Sequence, residues 1–183
     1  MLVAVGASGA GKTTLVGRLA ALGLPGVGCY HFDTIGVPPE AEIRARFGDG
    51  WAYQAWGLDQ WLGRFVRNED GVRVAVLDAQ VRPSAVREAF ARHGIARGGV
   101  VLVDCAPAER DARLRGPRGQ PELATAQMDG WAAYLRGQAD ALGLPILDSS
   151  ALAPAEGVAF LRERVADLLA GERARSAFRP GAG

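Results

Sequence analysis

The sequence predicts a three-layer α/β fold around one parallel sheet, because short apolar runs alternate along its 183 residues with longer helical stretches. The apolar runs are continuous or rich in β-branched residues, as expected of strands covered on both faces. Five strands are predicted, at Leu2–Val5, Gly28–Phe32, Val72–Leu77, Gly99–Val103 and Pro145–Leu147. Seven helices are predicted, at Lys12–Leu22, Pro39–Arg46, Trp51–Arg67, Pro83–Arg92, Pro107–Arg115, Glu122–Leu142 and Pro154–Leu169. Pro83, Pro107 and Pro154 fall in the first turns of their helices, where a backbone N–H is not needed.

Composition and charge exclude several classes of protein. The formal net charge of +1 gives no electrostatic footprint for nucleic acid or for an anionic membrane. No apolar run reaches about 18 residues, so no transmembrane helix is expected, and Met1–Val5 is predicted to be a strand and not a signal peptide. The only cysteines are Cys29 and Cys105, so we expect a reducing, cytoplasmic location.

A glycine-rich motif follows the first predicted strand and opens the first predicted helix. Residues Gly6 to Thr13 fit GxxxxGK[ST] at every fixed position, which is the pattern of a loop whose backbone N–H groups face phosphates. Lys12 is the only lysine beside 20 arginines, and it stands where a compact ammonium must reach the β- and γ-phosphates. The residues predicted to bind ATP are Gly6, Ser8, Gly9, Ala10, Gly11, Lys12, Thr13 and Thr14.

Asp33 follows the second predicted strand, at the sheet edge where open parallel sheets bind ligands. A carboxylate there could contact an acceptor hydroxyl and deprotonate it, as substrate ligand and catalytic base. The alternative is an aspartate that caps the turn before Gly36. His31 shares a strand face with Asp33 and is interpreted as a buried or supporting imidazole.

Asp78 follows the third apolar run and is predicted to hold Mg²⁺, together with the Thr13 hydroxyl. Asp104 ends the fourth strand and competes for the metal, or caps the helix that begins at Pro107. Arg82, four residues after Asp78, is predicted to bind an anionic or polar acceptor, the alternative being solvation at the surface.

A segment rich in arginine, glycine and proline follows the fifth predicted helix. A short mobile lid that supplies arginine would stabilise the charge of a transferred phosphoryl group. We predict this role for Arg113 and Arg118 in preference to Arg115, although arginine clusters also arise by composition in this chain. The aromatic residues are interpreted mainly as packing residues, with Tyr53 and Trp56 as a less favoured wall of an acceptor pocket.

Taken in order, these motifs resemble the P-loop kinase superfamily of nucleoside monophosphate kinases, shikimate kinases and gluconate kinases. Phe32-Asp33-Thr34 resembles the acidic end of strand two in shikimate and gluconate kinases, where the aspartate contacts the acceptor hydroxyl. Asp78–Arg82 has the spacing of the Asp-Gly-x-Pro-Arg segment of adenylate kinases, with alanine and valine in place of the glycine and proline. Arg113–Arg118 lies where these families place the lid, and Leu147–Ser150 is similar to their adenine-side loop.

The resemblance implies a five-stranded parallel sheet in the order 2-3-1-4-5 and a single kinase-like domain over residues 1–170. It further implies acceptor-binding helices at about 36–70, a short lid at about 113–121 and a flexible tail at 171–183. The implied activity is ATP- and Mg²⁺-dependent phosphoryl transfer to a small-molecule hydroxyl, by a monomer or a homodimer. Transfer to a nucleotide phosphate, or a regulatory ATPase without a small acceptor, remain as alternatives.

Overall fold

A computed structural model describes residues 1–177 of the chain, with side chains through Gly171. The strands are β1 (Leu2–Val5), β2 (Val27–His31), β3 (Val74–Ala79), β4 (Gly99–Asp104) and β5 (Ile146–Asp148). The helices are α1 (Lys12–Ala20), α2 (Glu40–Phe47), α3 (Gly50–Val66), α4 (Pro83–Arg92), α5 (Pro107–Arg115), α6 (Ala126–Ala141) and α7 (Pro154–Ala177). Two 3₁₀ turns lie at Phe32–Ile35 and Pro121–Leu123.

The five strands form one parallel sheet in the order β2-β3-β1-β4-β5, which confirms the predicted order. In this register Val3 of β1 lies opposite Leu77 of β3 and Val100 of β4. His31, the last residue of β2, lies opposite Asp78 of β3. The carboxyl ends of the strands therefore meet at one edge of the sheet, where ligands of open α/β folds bind.

Helices cover both faces of the sheet, as the continuous apolar strands predict. Val3 and Val5 point into a core formed with α3, α4 and α6, whereas Leu2 and Ala4 point into a second core formed with α1 and α7. All four side chains are at most 1% exposed. The structure thus confirms the three-layer arrangement.

Several element boundaries differ from the sequence prediction by one or more residues. Strand β3 continues through Ala79, so that Asp78 lies within the strand and not after it. Helix α6 begins at Ala126 because the Thr125 hydroxyl accepts a hydrogen bond from the Met128 N–H and caps the helix there, while the preceding residues form a 3₁₀ turn.

Helix α7 continues to Ala177, past residue 171 where the flexible tail was predicted to begin. The rest of that predicted tail, residues 178–183, lies outside the described residues. None of the described helices combines the length and the apolar character needed to span a bilayer.

Candidate active site

The glycine-rich loop curls tightly between β1 and α1, and two of its glycines are required by their surroundings. A Cβ on Gly6 would lie 2.2 Å from the carbonyl oxygen of Val103, which belongs to the adjacent strand. Gly9 has a φ of +78°, and a Cβ there would lie 2.9 Å from Cγ of Arg110. Larger residues would therefore push the loop away from the sheet edge and from α5.

Lys12 lies inside this loop, and its side chain is buried. Its Nζ donates a hydrogen bond to the Ala7 carbonyl oxygen at 2.9 Å. Burial lowers the pKa of Lys12 to about 8, while the negative charges of Asp78 and Asp33 act in the opposite direction. Burial penalises the ammonium and an anion would stabilise it, so the loop fits a phosphate chain.

Asp78 is buried beside Lys12 and is bonded to His31. His31 Nδ1 lies 2.7 Å from Asp78 Oδ2, a contact that follows directly from their opposite positions in the β2–β3 register. Asp104, the other metal candidate, contacts Arg136 Nη1 at 3.3 Å through Oδ2. Both carboxylates therefore have a partner, and the metal role of Asp78 stays a prediction.

Thr13 and Asp78 fit a metal that arrives with a nucleotide. Within residues 1–177 no group of three or more His, Cys, Asp or Glu side chains could hold a metal ion. Mg²⁺ commonly uses one or two protein oxygens, with substrate phosphates and water completing its shell. A hydroxyl in the first turn of α1 and a carboxylate beside Lys12 supply oxygen donors of that kind.

Asp33 lies in the 3₁₀ turn that follows β2. The turn is closed by the Gly36 N–H, which donates to the backbone carbonyl oxygen of Asp33 at 3.0 Å. The Asp33 carboxylate is exposed and has no hydrogen bond or ion pair within the described part of the chain. The capping interpretation therefore does not account for this side chain, which remains available to a ligand.

Aromatic residues of α3 fix the position of this turn. The Tyr53 hydroxyl donates to the Gly36 carbonyl oxygen at 2.7 Å, and Trp61 Nε1 donates to the Phe32 carbonyl oxygen at 3.2 Å. Gly57 lies so close to the Phe32 ring that a Cβ there would be 2.6 Å from Cζ. The packing role predicted for these aromatics thus includes holding Asp33 at the sheet edge.

A cavity of about 850 Å³ opens beside the phosphate loop, between the start of α3 and the start of α6. Gln80 links the two sites, because its Oε1 accepts a hydrogen bond from Ser8 Oγ at 2.7 Å while its side chain also lines the cavity. The cavity is lined by Asp49, Gly50, Trp51, Gln54, Gln80, Glu122, Leu123, Thr125, Gln127, Met128, Gly130, Trp131 and Tyr134. An acceptor bound there would lie next to the loop.

Arg82 is partly buried at the start of α4 and is not among the residues that line this cavity. Its guanidinium carbon is 4.4 Å from the centroid of the Trp51 ring, a cation–π contact. Arg82 thus contacts a wall residue of the cavity, and acceptor binding by Arg82 stays a prediction.

A smaller cavity of about 160 Å³ lies on the other side of the phosphate loop. Its walls include Thr14, Leu147, Pro154 and Arg113. Arg113 Nη1 donates to Ser149 Oγ at 2.8 Å, and Nη2 donates to the Ser149 carbonyl oxygen at 2.9 Å. The same Nη1 lies 3.4 Å from the Gly9 carbonyl oxygen. Arg113 therefore ties the phosphate loop to the segment after β5.

Replacing Arg113 with alanine should weaken ATP binding roughly tenfold and change kcat less than about threefold, because charged hydrogen bonds that shape the smaller cavity are lost. Direct binding of ATP and a comparison of KM with kcat would measure this. Arg115→Ala is the matched control, because Arg115 lies on the same helix but is exposed and paired with Asp111. A large fall in kcat with unchanged ATP affinity would instead indicate a direct role in phosphoryl transfer.

Arg118 is exposed, and its side chain bonds to that of Gln120. Its positive charge contributes to the lowered pKa of Lys12, and an anionic ligand would offset this repulsion. The role of Arg118 in phosphoryl transfer stays a prediction.

Sequence reasoning missed the residues that form the larger cavity. Trp131 and Tyr134 were expected to be packing residues, yet both line the cavity, and the amide of Gln54 was not singled out. Their spacing on the helices resembles that of ordinary core residues, so no local signal marks them. Gln80 bonds to Ser8 across 72 residues of sequence, a contact that no local pattern indicates.

Comparison with solved structures shows that the chain shares the fold of P-loop kinases. Shikimate kinase from Acinetobacter baumannii in complex with shikimate matches with a TM-score of 0.58 and 14% identity, over 93% of each chain. A sugar kinase from Janibacter sp. HTCC2649 matches with a TM-score of 0.55 and 18% identity, over 90% of this chain and 92% of the other. Deoxyadenosine kinase from M. mycoides matches with a TM-score of 0.53 and 12% identity, over 91% of this chain and all of the other. No protein-family model and no curated protein sequence matches the chain.

Proposed function

We propose that the chain is an ATP-dependent kinase that transfers the γ-phosphoryl group to a hydroxyl of a small molecule. One observation carries the proposal: the glycine-rich loop holds the buried Lys12 at the sheet edge where Asp78 lies near the end of β3 and the exposed, unbonded Asp33 follows β2. Charged groups of this kind occur in many structural networks, but their convergence beside a cavity of about 850 Å³ is typical of a catalytic site.

In this proposal the nucleotide lies along the loop, with its phosphates facing the backbone N–H groups of residues 6–14 and its base toward the smaller cavity beside Arg113. Thr13 and Asp78 would hold Mg²⁺, which when bound supplies positive charge to the phosphate oxygens. Helices within residues 36–70 would contact the acceptor, and segment 113–121 would close over the phosphates as a lid.

The chain's own residues account for the transfer. The acceptor hydroxyl oxygen forms a bond to the γ-phosphorus, the bond from that phosphorus to the β–γ bridging oxygen breaks, and ADP leaves. Asp33, whose carboxylate is exposed and unbonded, accepts the hydroxyl proton. Lys12 and Arg118 stabilise the negative charge that develops on the transferred group.

A hydroxyl acceptor suits this site better than a nucleotide phosphate does. The Asp33 carboxylate would repel an incoming phosphate but would orient a neutral alcohol. Arg82, the side chain predicted to attract an anionic acceptor, stacks on Trp51 and does not line the cavity.

The test is ADP release from ATP and Mg²⁺, measured with and without panels of alcohols and of nucleoside monophosphates. We expect at least one alcohol to raise the rate tenfold or more over hydrolysis in water. Stimulation by nucleoside monophosphates alone would favour the nucleotide-phosphate alternative. Hydrolysis that no acceptor stimulates would favour a regulatory ATPase and contradict the proposal.

A further inference from the structure

The charges that line the larger cavity indicate what kind of molecule it accepts. Among the described residues that line it, the charged side chains are Asp49 and Glu122, and none is Lys, Arg or His. Both carboxylates are exposed, and Asp49 also caps α3 by accepting from the Ala52 N–H at 2.8 Å. The lining therefore repels an anionic ligand, and added salt should weaken this repulsion.

Arg82 does not reverse this balance. Its guanidinium carbon lies 4.4 Å from the centroid of the Trp51 ring, and Arg82 is not among the residues that line the cavity. Arg82 also holds Trp51 in place, because a cation–π contact restrains the ring.

Aromatic rings form one wall of the cavity. The Trp51 and Trp131 ring centroids are 5.2 Å apart with an interplanar angle of 59°, and Trp131 stacks on Tyr134 at 5.6 Å and 25°. Trp51 remains 42% exposed and Tyr134 45% exposed, so apolar ring surface faces the opening. Such a wall favours a ligand with an apolar or aromatic ring.

Neutral hydrogen-bonding groups complete the lining. Gln54, Gln80 and Gln127 contribute amides, each of which can both donate and accept. Trp131 Nε1 is a buried donor that has no partner within the described residues. Ligand oxygens or ring nitrogens could satisfy these groups without carrying a charge.

The volume of about 850 Å³ lies near the upper end of the range of roughly 300–1,000 Å³ that is usual for ligand sites. A simple hydroxy acid would leave much of this space and most of the aromatic wall unfilled.

On the basis of the proposed function, we infer that the acceptor is an uncharged alcohol that carries a ring, with hydrogen-bonding substituents that pair with the glutamine amides. Its ring lies against Trp51 and Tyr134, and its hydroxyl lies toward Gln80, the residue that joins the cavity to the phosphate loop through Ser8. Sugar acids and phosphorylated acceptors are disfavoured by Asp49 and Glu122.

Binding of matched pairs of probes tests this inference without requiring turnover. The pairs are phenyl β-D-glucoside with phenyl β-D-glucuronide, and adenosine with adenosine 5′-carboxylate, titrated against the protein in ADP and Mg²⁺ while tryptophan fluorescence is recorded. We expect at least one neutral member to quench saturably and to bind about tenfold more tightly than its anionic partner at low ionic strength. Equal or tighter binding of the anionic members, or no saturable quenching by either neutral member, would overturn the inference.

Variants then locate the effect. The double variant Asp49→Asn, Glu122→Gln removes both charges, and asparagine is as good a helix cap as aspartate. It should bring the anionic members to within about threefold of the neutral ones, whereas Glu163→Gln on α7 should leave the preference unchanged. Trp51→Phe should abolish most of the quenching, and Trp56→Phe, which alters a ring packed on Phe47 outside the cavity lining, should not. Unchanged quenching in Trp51→Phe would place the ligand elsewhere.

The outcomes separate this inference from the proposed kinase activity. If ADP release is stimulated only by anionic alcohols, the kinase proposal stands and the uncharged-acceptor inference fails. If neutral probes bind in the cavity but no alcohol stimulates ADP release, the description of the cavity stands and the kinase proposal fails.

Discussion

Replacing Lys12 with methionine should lower acceptor-dependent ADP formation roughly a thousandfold, the scale of losing one essential charge contact to a transferring phosphoryl group. Methionine fills the volume of the lysine stem but has no ammonium for the β- and γ-phosphates. Steady-state rates with an acceptor found in the panel would measure the loss. Near-normal rates in this variant would contradict the kinase assignment.

The same substitution should stabilise the protein when nucleotide is absent. The pKa of Lys12 is about 8 in the folded chain against 10.5 in the unfolded chain, so the folded state binds fewer protons between these pH values. The penalty for holding a buried ammonium is thus complete below pH 8 and disappears as the pH approaches 10.5, and it amounts to about 3 kcal/mol at most. The Lys12→Met variant does not have this penalty.

The difference in unfolding free energy between variant and wild type is the measurement, by urea denaturation at several pH values in the absence of nucleotide and metal. Burial also raises the pKa of Cys29 and of Cys105, which makes the stability of both proteins fall as the pH rises above about 8. The contribution of the cysteines is the same in both proteins and cancels when their unfolding free energies are subtracted. The remaining difference should be largest at pH 7 and shrink from pH 8 to pH 10. A difference in unfolding free energy that does not depend on pH would mean that the pKa of Lys12 is not lowered and that burial in the loop does not destabilise its ammonium.

The sequence predicts the parts of the fold that depend on local pattern. A strand such as Leu2–Val5, apolar at every position, has to be covered on both faces, and this requires helices above and below a parallel sheet. The glycine loop is recognisable for the same reason, since its spacing directly encodes a backbone path from strand to helix. The expected positions of Asp33 and Asp78 follow from the predicted sheet and the predicted loop, because the carboxyl ends of the strands in a parallel sheet share one edge.

The remaining parts of the site depend on contacts between distant positions. The bond from Ser8 to Gln80, and the bonds from Arg113 to Ser149, form only after the sheet has brought the loops together. Arginines at positions 113 and 118 look equivalent in a segment rich in arginine, and only the fold separates one that binds Ser149 from one that acts on Lys12. The cavity wall was missed because Trp131 has the helical spacing of a core residue.

Replacing Asp33 with asparagine should reduce kcat for phosphoryl transfer by roughly a hundredfold to ten-thousandfold and leave ATP affinity within about threefold of wild type. Asparagine keeps the size and polarity of the side chain but cannot accept the hydroxyl proton, and general-base catalysis is worth about that factor. The structural consequences should be small, because the turn is held by backbone and aromatic groups: the Gly36 N–H bonds to the Asp33 carbonyl oxygen, and Tyr53 and Trp61 bond to neighbouring carbonyl groups.

Three measurements on this variant distinguish a base from a structural residue: kcat, the dissociation constant for ATP, and the free energy of unfolding. Asp167→Asn on α7 is a matched control, since the same chemical change is made at an exposed position on the opposite side of the sheet. If Asp33→Asn lowers ATP affinity and stability together with kcat, the carboxylate supports the loop and does not act on the acceptor. If kcat alone falls, Asp33 acts as the base. Its lack of bonds to other side chains fits this role, because a carboxylate held by neighbouring side chains would have to break those bonds before it could accept a proton.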